Sequence, residues 1–319
     1  MKKTLIALAA VAATSASFAQ VTLSGEFAWG YVSSNSGATN ADGTVGKKTS
    51  GGGIDTAQLV FKANEDLGGG MSVAVSMKFN TKGFDEGGKA DDQSLSLVTP
   101  FGAVSLLTYK PSDWVSQASG AATWYGLDGA VLAKRSLRDA IAYTVPLMDG
   151  LTVTAAMLEP ANELGEGSGN GGSTGQSIYN FGAKYTLGAA VLQTAYLSYT
   201  NTDKVGASTE SVMRFGGTYD LGVAKVGAGY QNAKLLNNGG DNVQYAISAS
   251  APVGGNMSVN GIYASNKVGS ADARTGFMLG AQYNLSKRTY AIANYGSWKA
   301  ALADTKDSDT MALTLVHDF

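Results

Sequence analysis

The sequence predicts an all-β fold in which sixteen antiparallel strands close into a transmembrane barrel. Segments with alternating apolar and polar residues recur along most of the chain, and short and long connections alternate between them. One seven-residue pattern also occurs three times, at 181–187, 215–221 and 279–285. It places an apolar residue, Gly, Tyr and Leu at fixed positions, so alternate side chains share one face of a strand that ends at a turn. The repeated unit is therefore a two-faced strand.

The first element, residues 1–19, has the pattern of a cleavable secretory signal. Two lysines precede an apolar run at 5–13, and residues 17–19 place a small residue at each end of a cleavage site. The apolar run is shorter than the ~20 residues that a helix needs to cross a bilayer, which disfavours a membrane anchor. We therefore expect a signal peptide at 1–19 and a single barrel domain at 20–319.

The composition argues against several classes of protein. The chain has 23 basic and 25 acidic residues, and removal of the signal with its two lysines leaves 21 against 25, a formal charge of −4. We therefore expect no nucleic-acid partner. The chain has 0 Cys, which excludes disulfides and thiolate metal sites, and we expect no metal or cofactor. The single His317 lies on the predicted lipid-facing side of a strand, where it cannot serve a hydrolase as a base, so we expect no enzyme.

Sixteen segments have the length and alternation of strands. They lie at 21–32, 56–64, 71–80, 93–99, 103–109, 138–145, 151–158, 177–187, 190–200, 211–220, 223–232, 242–251, 257–266, 274–284, 289–298 and 309–319. Seven short turns alternate with eight longer polar or Gly-rich loops. An even-stranded up-and-down barrel with both termini at the short-turn end has this asymmetry, whereas a soluble sandwich does not require it.

The strand at 71–80 shows which solvent each face meets. Met, Val, Val, Met and Phe alternate there with Ser, Ala, Ser, Lys and Asn. The apolar face suits lipid and the polar face suits water, and an unpaired strand edge in lipid is very costly, so the strands must close into a barrel. Aromatic residues near both strand ends suggest two membrane-interface girdles. They are Tyr185, Tyr219 and Tyr283 before short turns, and Trp29, Tyr31, Phe79, Tyr230 and Tyr263 toward the other ends.

The third long loop, 110–137, is among the longest and combines aromatic with acidic residues. This content predicts a loop that folds into the barrel, with its acids facing the wall. The alternative is a surface loop that covers a neighbouring subunit. The residues concerned are Asp113, Trp114, Trp124, Tyr125 and Asp128.

Alternation turns most basic strand residues toward the lumen, but it turns only a few acidic residues that way. A chain with a net negative charge is therefore predicted to have a basic lumen. Lys and Arg in a narrow passage concentrate anions, which predicts modest anion preference, unless the loop acids cancel the wall charge. The predicted constriction comprises Lys62, Lys78, Lys134, Arg135 and Arg138 with the loop acids Asp113 and Asp128. Other predicted pore-lining residues are Glu26, Lys184, Arg214, Lys225 and Arg274.

Four segments together resemble one protein family. They are VTLSGE at 21–26, ANEDLGGGMSVAVSMKF at 63–79, YNLSKRTYAIANYG at 283–296 and the terminal VHDF. The chain resembles the Gram-negative general porins of the sixteen-stranded trimeric type, especially those of beta-proteobacteria. YNLSKRTYAIANYG is the most specific segment, and the resemblance covers the whole mature chain. Many relatives concentrate Arg at the constriction, whereas Lys62 and Lys78 are flexible point charges.

The resemblance implies an inward-folded third loop and passive diffusion of small hydrophilic solutes and inorganic ions across the outer membrane. It also implies a homotrimer among outer-membrane lipid and lipopolysaccharide, with a last strand that the barrel assembly machinery reads. Two alternatives stay open: a channel selective for one class of anion or sugar, and a structural or adhesion barrel whose loops bind a partner. The residues of the implied assembly signal share one face: Met311, Leu313, Leu315, His317 and Phe319.

Overall fold

The structure, a computed structural model, describes residues 20–37, 46, 48–80, 89–111, 113–120, 127–133, 136–160, 177–200, 208–237, 239–299 and 307–319. These residues form strands β1 (Gln20–Asn35), β2 (Lys48–Gly68), β3 (Met71–Asn80), β4 (Lys89–Thr99), β5 (Gly102–Tyr109), β6 (Arg138–Met148), β7 (Leu151–Pro160), β8 (Ile178–Leu187), β9 (Ala190–Tyr199), β10 (Thr209–Asp220), β11 (Lys225–Leu235), β12 (Asp241–Pro252), β13 (Met257–Val268), β14 (Arg274–Asn284), β15 (Thr289–Trp298) and β16 (Ser308–Asp318). A short helix, α1 (Trp114–Ala118), lies between β5 and β6. The predicted signal at 1–19 lies outside the described residues.

Each strand pairs antiparallel with its neighbours in sequence, and β1 also pairs with β16, which closes the sheet. The predicted sixteen-stranded antiparallel barrel is thus confirmed. Closure pairs the backbone groups of the first and last strands with each other, as a strand in lipid requires. In the described part of the chain, no helix is long and apolar enough to cross a membrane.

Side chains alternate between the two surfaces of the barrel as predicted. On β16, the outward Met311, Leu313 and Leu315 are 48%, 53% and 52% exposed, whereas the inward Ala312 and Val316 are 1% and 0% exposed. Large apolar and aromatic side chains are exposed in the same alternating way around the barrel. This outer surface has the composition of a lipid-facing belt.

Two strands, β2 and β4, begin well before their predicted positions. We expected a loop between 33 and 55, but β2 begins at Lys48, and the Gly-rich stretch 51–53 pairs with residues 30–32 of β1. We also placed Asp91 and Asp92 in a loop, and this was wrong because both lie in β4. Glycine and acidic residues are depleted in strands, so the pattern underestimated strand length at the long-loop end.

The seam between β16 and β1 ends at Phe319. Its backbone N–H donates to the Gly25 carbonyl at 3.0 Å, and the Gly25 N–H donates to the Phe319 carbonyl at 2.9 Å. A Cβ added at Gly25 would lie only 2.6 Å from ring atom Cε2 of Phe319, so glycine leaves room for that ring. His317 stacks on the same ring with centroids 6.5 Å apart. The outward face that we associated with assembly therefore also completes the seam, and its recognition by assembly machinery stays a prediction.

Candidate functional site

The third loop lies inside the barrel, against the wall formed by β10 to β14. Ser248 Oγ donates to the Ser119 carbonyl at 2.5 Å, and Asn266 Nδ2 donates to the Val131 carbonyl at 2.9 Å. Ser248 and Asn266 alternate with the outward, exposed Tyr245 and Tyr263 on β12 and β13, so both point inward. The expected inward fold of this loop is confirmed.

An apolar cluster joins the loop to this wall. Val115, Leu127 and Val131 of the loop are at most 1% exposed. They pack against inward-facing residues of β12, β13 and β14, with Trp114 and Trp298 at the margin. Such a cluster stabilises the loop by removing apolar surface from the water of the lumen. The wall residues of the cluster are Ala246, Ile262, Ala264 and Met278.

Asp113 and Asp128 organise the loop itself. Asp113 Oδ1 accepts from the backbone N–H groups of Val115 at 2.9 Å and Ser116 at 3.2 Å, which makes Asp113 the N-cap of α1. The Asp113 N–H donates to Asp128 Oδ2 at 3.1 Å. The structure thus brings the two predicted acids together within the loop, and their part in a constriction stays a prediction.

Burial has the largest influence on the pKa of the Asp113 carboxyl, because the Asp113 residue is only 8% exposed. It raises the pKa of Asp113 to about 6, because a charged carboxylate loses hydration there. The hydrogen bonds from Ser116 and Val115 and the charge of Arg214 act in the opposite direction, whereas the charge of Asp128 raises the pKa further. The loop therefore holds a carboxyl that titrates close to physiological pH.

Arg214 points inward from β10 and contacts the loop. Its Nε donates to Gln231 Oε1 at 2.7 Å, and its guanidinium carbon lies 5.6 Å from the centroid of the Trp114 ring. Gln231 Nε2 donates in turn to Gln244 Oε1 at 3.3 Å. Gln231 and Gln244 are 7% and 2% exposed, so this row of polar side chains is part of the packed wall.

The opposite wall carries other predicted cations. β2 and β3 lie eight strands from β10 and β11 in the ring of sixteen, so they face the loop across the lumen. Lys78 Nζ lies 3.3 Å from Asp91 Oδ2 and 3.7 Å from Asp92 Oδ2. Lys62 is exposed and, among the described residues, has no ion-pair partner.

Lys62 lies at one of the shallow hollows of the inner wall. Its register partners are Thr22 on β1 and Ser76 on β3, and Ser76 is paired with Ser94 on β4. The hollow has a volume of about 300 Å³. Its polar lining residues are Gln20, Thr22, Lys62, Asn64, Ser76 and Ser94.

The remaining predicted residues are spread along the barrel. Arg138 begins β6 opposite Tyr109, and Lys184 is exposed in β8 between Thr152 and Gln193. Lys225 and Arg274 are the exposed first residues of β11 and β14, and Glu26 is paired with Asp318 and Gln58. Lys134, Arg135, Trp124 and Tyr125 lie outside the described residues.

The sequence pattern did not identify the residues that receive the loop. They are glycines at inward positions of β10 and β11, together with Gln231 and Gln244. A run of small residues at inward positions of neighbouring strands was the available signal, but alternation does not show what packs against them.

Comparison with known proteins supports the architecture. The profile of the Gram-negative porin family matches residues 4–303. The major outer membrane protein P.IB of Neisseria meningitidis is 27% identical over 314 residues, covering 93% of each chain.

Two solved structures share the fold. The anion-selective porin from Comamonas acidovorans superposes with a TM-score of 0.70 at 23% identity, covering 94% of this chain and 100% of that one. OmpT, an outer membrane protein of Vibrio cholerae, gives 0.66 at 14% identity, with 94% and 98% covered. With the closed barrel and its inward loop, the family match shows that this chain belongs to the Gram-negative porins, which are channels of the outer membrane rather than enzymes.

Proposed function

We propose that this porin is a general diffusion channel with a modest preference for anions. The observation that carries this proposal is the placement of the third loop on the β10–β14 wall, across the lumen from Lys62 on β2. We infer that the passage runs beside the wall that the loop leaves free, with Arg138 on β6 and Lys184 on β8 between the two. Cations along a narrow aqueous passage raise the local concentration of anions. Small and polar inward side chains such as Ser76 and Ser94 favour a water-filled passage.

Local pairing of charges supports a modest preference rather than a strong one. Asp91 and Asp92 neutralise Lys78. Glu26 and its register partner Asp318 are both acidic, so they add negative charge on the same side of the barrel and offset other cations there. Salt screens exposed charges over ~10 Å at 0.1 M, so only cations near the narrowest part act on a passing ion. The Comamonas acidovorans porin is anion-selective, and we propose the same sign of selectivity for this chain.

The test is the reversal potential of the reconstituted protein in a planar bilayer under a KCl gradient. We expect the reversal potential to have the sign of a channel that prefers chloride over potassium, and to move toward zero when Lys62 is changed to Gln. Lys234→Gln is the matched control, because Lys234 pairs with Glu210 on the outer side of β11, at 3.0 Å. A wild-type potential of the sign for potassium would contradict the proposal.

The hollow around Lys62 favours a second candidate, a channel that selects one class of small anion. An ammonium group next to hydroxyl and amide groups can hold a phosphate or carboxylate. Such a channel would show a chloride current that saturates and is blocked by inorganic phosphate in a Lys62-dependent manner. A general diffusion channel would show no saturation.

We also propose that the protein is exported and assembled in the manner that the resemblance implies. Residues 1–19 would be removed, so the mature chain would begin at Gln20, where β1 also begins. The mature chain would form a homotrimer in lipopolysaccharide-containing membrane after the assembly machinery reads the strand that ends at Phe319. N-terminal sequencing and the migration of the unheated protein on gels test these steps separately.

A further inference from the structure

We infer that three glycines and Arg214 position the third loop and thereby set the cross-section of the channel. The glycines are Gly216 on β10 and Gly227 and Gly229 on β11, and we call them the glycine seat. This inference rests on the channel function of the family and is independent of the sign of ion selectivity.

The loop comes close to the backbone of the wall at each glycine of the seat, through its own backbone at Gly227 and Gly229 and through a side chain at Gly216. A Cβ added at Gly229 would lie less than 3.0 Å from the Val115 carbonyl oxygen, and one at Gly227 would lie equally close to the Ser119 carbonyl oxygen. A Cβ at Gly216 would lie 2.5 Å from Cβ of Ala118. Any larger residue must therefore push the loop toward the lumen, which is the use of glycine where another backbone approaches.

An inward glycine away from the loop can lack such close contacts. Gly182 is also an inward-facing glycine within a strand, on β8, away from the loop. A Cβ added at Gly182 would lie 3.4 Å from the Thr194 carbonyl oxygen and 3.8 Å from Ala195 Cβ, which are ordinary van der Waals distances. Gly182 therefore tolerates alanine and provides a matched control for the seat.

Arg214 secures the same helix from the side. Its hydrogen bond to Gln231 orients the guanidinium group, whose carbon lies 5.6 Å from the centroid of Trp114 in α1. Arginine combines a directed hydrogen bond with a flat face that attracts an aromatic ring, and lysine cannot reproduce both. The sequence pattern assigned Arg214 to the pore lining, and its contacts make it a positioning residue for the loop.

A crosslinking experiment tests the seat directly, because the wild-type chain has 0 Cys. Ala118→Cys combined with Gly216→Cys brings two thiols next to each other, since their Cβ positions are within the reach of a disulfide after a small shift. We expect crosslinking of this pair under mild oxidation in the folded barrel. The control pair, Ala118→Cys with Gly182→Cys, should not crosslink. Equal crosslinking of both pairs, or none in the seat pair, would overturn the inference.

Single-channel recording then tests the consequence for the passage. Gly229→Ala and Arg214→Lys should each lower the conductance or add closing events, whereas Gly182→Ala should retain the wild-type conductance. A wild-type record from both Gly229→Ala and Arg214→Lys would overturn the inference. If the wild type itself carried no current, the channel function would fail instead, and the crosslinking result would still report on the seat. Heat-dependent migration on gels verifies that each variant is folded, and the cysteine pair decides the matter if Gly229→Ala does not fold.

Discussion

The third loop should be held more firmly at mildly acidic pH than at neutral pH, because Asp113 must lose its charge hydration to reach its buried position. In the seated loop burial raises the pKa of Asp113 to about 6 from its ordinary value of 3.8. The seated loop therefore binds a proton more tightly than a released loop with an exposed Asp113 does. Below about 4 both forms are protonated, and above about 6 both are ionised, so the stability of the seated loop falls as pH rises between these values.

The size of this effect follows from the shift. A difference of about two pKa units at 1.36 kcal/mol each is about 3 kcal/mol, or a factor of roughly 10² in the population of released loops. Asp113→Asn removes the charge and keeps an acceptor for the N–H groups of Val115 and Ser116, since asparagine and aspartate cap helices equally well. In this variant the stability of the seated loop should not change with pH and should equal that of the wild-type loop at acidic pH.

Hydrogen exchange of the Val115 and Ser116 amides measures this directly. Comparison of the wild type with Asp113→Asn at each pH cancels the intrinsic pH dependence of exchange. We expect equal protection near pH 4 and weaker protection of the wild type near pH 7.5, by up to the factor of roughly 10². The same ratio at both pH values would refute the account of Asp113 and of its neighbours Asp128 and Arg214.

Three further results are expected. Asp91→Asn should strengthen the preference for anions, because it removes one of the two acids that pair with Lys78. The reversal potential under a KCl gradient should then move toward the equilibrium potential of chloride. An unchanged reversal potential would place Lys78 away from the constriction. Gly25→Ala should lower the yield of folded barrel, measured by heat-dependent migration on gels, because the new methyl group collides with the Phe319 ring; a wild-type yield would show that the ring is not needed there. Leu127→Ala should weaken amide protection in the loop by about 2 to 5 kcal/mol and leave the strands unchanged, because Leu127 is 0% exposed in the apolar cluster; loss of protection throughout would contradict a separate loop cluster.

The strands were predictable where one face of the sheet contacts lipid and the other contacts water. β3, β14 and β15 have the bounds that alternation gives, 71–80, 274–284 and 289–298, because lipid and water impose a strict period of two on them. Alternation weakens where both faces of a strand meet water. The glycines at 51–53 and the acids Asp91 and Asp92 lie in such segments, so the sequence pattern placed them in loops.

The position of the loop was predictable in kind but not in detail. Aromatic residues indicated an inward fold, yet the contacts of Trp114 with Arg214 and of Val115 with Gly229 join residues about a hundred positions apart. A single sequence carries no signal for such distant pairs. The N-cap role of Asp113 is local, and the acid two residues before an apolar Val was a usable hint of a helix start that we did not take.

The most direct test of the central claim is the current through single channels of the purified mature protein in a planar bilayer. We expect an open aqueous path beside the seated loop, and therefore stepwise conductance in KCl, with steps grouped in threes if the proposed homotrimer forms. A barrel that is folded by its migration on gels and carries no current would contradict it.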